Sequence, residues 1–86
     1  MTRRVAQIHH PGVFIKDELE ARQWSQADLA KILDRPCRLI SELIGGTRSV
    51  SLVTAQELGD AFGTGPEVWV RLQHDYDLHH AEETAP

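Results

Sequence analysis

The chain has 86 residues, 41% of them hydrophobic and 26% charged, with a net charge of −4 at neutral pH. That is the size of one domain, so residues 1–86 are read as a single unit with its core at about 9–80 and flexible ends. No apolar run approaches the ~20 residues of a membrane span, the start lacks a secretory apolar stretch, and the single cysteine excludes an internal disulfide, all of which favours a cytoplasmic protein without a membrane partner.

In chain order, the sequence reads as helices separated by short breakers, with no alternating strand. The first helix opens at Pro11, where a missing N–H costs nothing, and runs to about Arg22 with Ile15 and Leu19 inward. Ser25 is a good N-cap for a second helix, with Asp28 three residues on and Leu29, Ala30 and Leu33 as its apolar face. Asp34-Arg35-Pro36 breaks the pattern. Pro36 fits only a first turn, so a third helix begins there and reaches about Ile44, burying Ile40, Leu43 and Ile44. Gly45-Gly46 ends it, because glycine takes positive φ without penalty.

A fourth helix lies between Ser51 as N-cap and Gly63, with Ala55, Leu58 and Phe62 inward. Thr64-Gly65-Pro66-Glu67 matches the Ser/Thr-x-x-Glu capping box and opens a fifth helix, on which Trp69, Leu72 and Tyr76 form one stripe. This stripe can be plain core or a homodimer seam; a small domain gains stability by pairing, so the seam is the expectation. Residues 81–86 are small and acidic and are expected to fray. The fold class is therefore all-α, with five helices.

Two short helices around a tight break, the second turning small, polar and basic groups outward, follow the logic of a helix-turn-helix. A major groove about 12 Å wide admits one helix. Arg38 can bond guanine bidentately, Ser41 can bond many base edges and Glu42 can accept from cytosine. Gln26, at the start of the preceding helix, can reach a phosphate or a base. Arg35, Cys37, Thr47 and Arg48 complete the expected DNA face.

Charge agrees with this division once it is split by position. Residues 1–50 hold eight Lys/Arg against six acids, a net of +2, while residues 51–86 hold Arg71 against seven acids, a net of −6. The first part can face phosphates and the second a basic partner. The five histidines lack a convincing ligand spacing and are read as solvated ends, so neither metal nor cofactor is expected. No nucleophile–base set is visible, and no catalytic residue is assigned.

Residues 25–49 resemble, without a gap, the helix-turn-helix of the XRE, or lambda-repressor-like, regulators. The shared residues are Ser25-Gln26, Ala30, Ile40-Ser41 and Gly46 with Arg48. Four positions depart: Asp34 stands for the turn glycine, Gly45 for the usual Asn, and Pro36-Cys37 for a polar helix start. His10-Pro11-Gly12 before the first helix, and Trp69-x-x-Leu72-Gln73-x-x-Tyr76-Asp77-Leu78 after the fourth, are similar to HigA-type antitoxins. The resemblance covers about residues 9–80. It implies a homodimer that binds a palindromic operator in its own promoter, represses transcription and neutralises a HigB-type RNase toxin. Two other readings remain open at this point: a repressor with no toxin, and a toxin-binding inhibitor of weak DNA affinity.

Overall fold

The computed structural model describes residues 8–84. They form five helices: α1 (Pro11–Arg22), α2 (Gln26–Leu33), α3 (Cys37–Gly45), α4 (Leu52–Phe62) and α5 (Glu67–Thr84). Among the described residues there is no strand, and no helix is long and apolar enough to cross a membrane. The Arg3-Arg4 pair, which the sequence suggests is a flexible arm rather than a defined site, lies outside the described residues.

The helix ends are set by local chemistry. The Ser25 Oγ accepts from the Asp28 N–H at 3.0 Å while Asp28 Oδ2 accepts from the Ser25 N–H at 2.8 Å, a closed reciprocal cap. Ser51 Oγ accepts from the Thr54 N–H at 3.1 Å. At the other ends, Gln23, Asp34, Gly46 and Gly63 all take left-handed backbone. Asp34 at φ 57° is the instructive one, because a short polar side chain tolerates what usually needs glycine. The turn thus forms without the glycine that the resembling family has there.

Three expectations are corrected. Pro36 is the N-cap of α3 rather than a member of its first turn, with an extended ψ of 143° that no helical residue takes. The Thr64 capping box does not form: the Pro66 carbonyl accepts the Val70 N–H, at 3.1 Å. Thr64 Oγ1 instead accepts from the Trp69 indole N–H at 2.9 Å, because a buried indole needs a partner more than a helix start does. The chain also stays helical past Ala81, to Thr84.

The core is one cluster that draws on every helix: Ile15 and Leu19, Leu29 and Leu33, Ile40 and Leu43, Ala55, Leu58 and Phe62, and Trp69. Burying each large side chain contributes roughly 1.5–3 kcal/mol, which offsets the entropy of ordering so short a chain. Two glycines permit close approach. A Cβ on Gly12 would lie 2.1 Å from the Leu43 carbonyl oxygen, and one on Gly59 2.4 Å from the Gly65 carbonyl carbon. The first lets α1 press on the end of α3; the second seats α4 under the loop that launches α5.

Candidate nucleic-acid interface

Helix α3 buries Ile40 and Leu43, so its other side must face solvent. Cys37, Arg38, Ser41 and Gly45 are exposed there, and Glu42 is half-buried at its edge. Beyond the Gly46 cap, the Thr47 N–H donates to the Glu42 carbonyl at 3.0 Å, and Thr47 Oγ1 donates to the same oxygen at 3.4 Å. That closure turns the chain back along α3 and brings Arg48 beside the helix it has just left.

The consequence is a triad. Glu42 Oε2 accepts from Arg38 Nε at 3.1 Å, and Glu42 Oε1 accepts from Arg48 Nε at 2.9 Å. Hydrogen bonds from Arg48 and then Arg38 hold the Glu42 carboxyl below the usual glutamate range. Glu42 is thus not the free acceptor for cytosine that the sequence suggests, since each of its oxygens already receives an arginine. Arg38 nonetheless keeps 87% of its side chain exposed.

Arg35 is drawn elsewhere. Its Nε donates to both oxygens of Glu57, at 3.1 Å each, and its Nη2 donates to Glu57 Oε2 at 2.6 Å. This forked pair ties the turn between α2 and α3 to α4, and the hydrogen bonds raise the arginine's already high pKa. Gln26 is exposed as the first residue of α2, behind its Ser25 cap.

Two residues that sequence reasoning gave no role hold the Arg48 loop in place. Gln73 is buried on α5, and its Oε1 accepts from the Val50 N–H at 2.7 Å while its Nε2 donates to Asp77 Oδ1 at 2.8 Å. His10 caps α1 by accepting from the Gly12 N–H at Nδ1, 3.0 Å away, and also bonds the backbone of Arg48. Its ring meets Tyr76 edge-on with centroids 4.9 Å apart. The reading of the histidines as solvated ends is therefore corrected for His10. Burial lowers its pKa, against the opposing pull of Asp77 and of the Arg48 backbone. The only sequence signal for Gln73 was its place in the tail motif.

The expected seam on α5 divides. Trp69 is 2% exposed, with its ring 5.7 Å from that of Phe62 and its N–H on Thr64, so it is a core residue and leaves the seam. Leu72 packs against the same core, and Tyr76 is half-buried between His10 and His80. The opposite side of α5 is open: Glu67, Val70, Arg71, His74 and Asp75, with Pro66, line a shallow groove. Among the described residues, no group of three or more His, Cys, Asp or Glu is placed to hold a metal ion.

No protein-family model matches the chain. Virulence-associated protein A' of Dichelobacter nodosus is 38% identical over 77 residues, covering 88% of this chain and 67% of that protein. An addiction-module antidote protein of the HigA family from Coxiella burnetii superposes with a TM-score of 0.88 at 34% identity, covering 93% of this chain and 88% of that one. The antitoxin HigA of Pseudomonas aeruginosa, solved with the higBA promoter, gives a TM-score of 0.83 at 32% identity over 87% of this chain and 83% of that one. With its α2–α3 helix-turn-helix and this degree of likeness over nearly its full length, the chain belongs to the HigA-type antitoxins of the XRE helix-turn-helix family.

Proposed function

We propose that this protein binds operator DNA through α3, represses its own promoter and neutralises a HigB-type RNase toxin. The observation that carries the DNA reading is the exposed face of α3, where Arg38, Ser41 and Cys37 stand clear of the core with Thr47 and Arg48 folded beside them. A likeness to an antitoxin solved with its promoter supports the same reading. Gln26 reaches phosphate or base from the start of α2. Arg35 contributes as a brace for the turn, through Glu57.

The toxin half of the proposal rests on family membership together with the acidic second part of the chain, which suits a basic partner. The active species is a homodimer, since two-fold pairing sets two α3 helices one DNA turn apart, about 34 Å. With Trp69 in the core, we place the pairing on the outer side of α5, around Val70 and His74.

A gel shift with the chain's own upstream DNA tests the DNA reading. The parent should bind it well above a random duplex, and Arg38→Ala should lose ~1–3 kcal/mol with relaxed preference at one base pair. Operator affinity unchanged in Arg38→Ala at matched salt removes α3 from the groove. Co-expression with a HigB-type RNase, followed by co-purification through a tag on this chain, tests the toxin half.

A further inference from the structure

Resting on the DNA-binding reading above, we propose that Glu42 is a positioning residue that sets how well the protein tells operator from random duplex, by gripping Arg38 and Arg48 together. The grip is specific in its atoms. Both arginines donate through Nε, at 3.1 Å and 2.9 Å, to different oxygens of the one carboxylate. An arginine has five N–H donors, so each keeps its four Nη hydrogens for another partner. Those ends are in solvent, with Arg38 87% and Arg48 52% exposed.

Glu42 is well suited to hold both. Its side chain is half-buried, it sits one turn after Arg38, and its own carbonyl receives Thr47, which fixes where Arg48 re-enters. A guanidinium held in advance loses less freedom when it meets a base edge, and base edges demand geometry that phosphates do not. The carboxylate also reduces the charge of the trio from +2 to +1, from two arginines and one glutamate. Sequence-blind attraction to the DNA backbone depends on that charge. One residue thus strengthens the geometric contact and restrains the indiscriminate one.

The test compares the parent, Glu42→Ala and Glu42→Gln on the upstream DNA and on a random duplex, each across a salt series. Glu42→Ala should bind random duplex more tightly than the parent, with a log–log salt slope steeper by about one per protomer. Its operator-to-random ratio should fall about tenfold or more, the size of one good base contact. Glu42→Gln keeps the shape and one acceptor oxygen, so it should retain part of the ratio while showing the same steeper slope. A merely structural glutamate would weaken binding to both duplexes alike, leaving the ratio unmoved. If the parent discriminates and Glu42→Ala discriminates equally, the role of Glu42 is overturned and the DNA reading stands. A parent that binds neither duplex overturns the DNA reading and this one with it.

Discussion

At the scale of single residues, His10 shows how a side chain that looks like a solvated terminus does structural work. Its Nδ1 is an acceptor for the Gly12 N–H, so a proton arriving there would remove the cap of α1. Burial already lowers its pKa from the ordinary 6.5. The unfolded chain takes up the proton first, so stability is unaffected above the unfolded value and declines as pH falls from about 6.5 toward the lower folded value. Melting temperature should therefore drop between pH 7.5 and pH 5.5. His10→Asn keeps a capping side chain that does not titrate, and it should lose much of that drop. Equal acid sensitivity in the two proteins, read by thermal melts, would mean that another group is responsible.

At the scale of elements, the close contact between α1 and α3 depends on Gly12. A Cβ there would sit 2.1 Å from the Leu43 carbonyl oxygen and 2.8 Å from that of Ile44, and helix backbone cannot shift as a side-chain tip can. Gly12→Ala should cost about 1–3 kcal/mol or more in urea denaturation, although alanine is the better helix former by up to ~1 kcal/mol. A neutral or stabilising Gly12→Ala would show that α1 can move off α3. Periodicity and capping residues made the five helices legible, because Ser25, Ser51, Gly46 and Gly63 act on their own neighbours. What escaped the sequence were contacts between elements. The Thr64 box looked complete locally, yet its hydroxyl is claimed by Trp69 from the turn it precedes. Arg35, Glu42 and Gln73 find partners 22, 6 and 23 positions away, and no spacing rule announces these. The exposed side of α3 was legible as residue types, while the hydrogen bonds that join Arg38 and Arg48 to Glu42 on it were not.

At the scale of the molecule, the core uses one side of α5 and leaves the other without a partner inside the protomer. Trp69 and Gln73 point into the fold, while Val70 and Leu78 are exposed on the outer side with Arg71 among Glu67 and Asp75. Such a surface is self-complementary under a two-fold axis, since the same patch appears on both copies and Arg71 of one can meet an acid of the other. Val70→Asp probes this cleanly. Val70 is already 37% exposed, so a carboxylate there has little effect on the fold of a lone protomer, whereas in an apolar seam it opposes pairing. The variant should keep native helicity by circular dichroism, sediment as a monomer, and bind operator far more weakly because one α3 must now hold alone what two held together. Retained dimer mass with native helicity would move the pairing surface off this side of α5. Loss of helicity along with the dimer would instead mean that α5 needs its partner to fold.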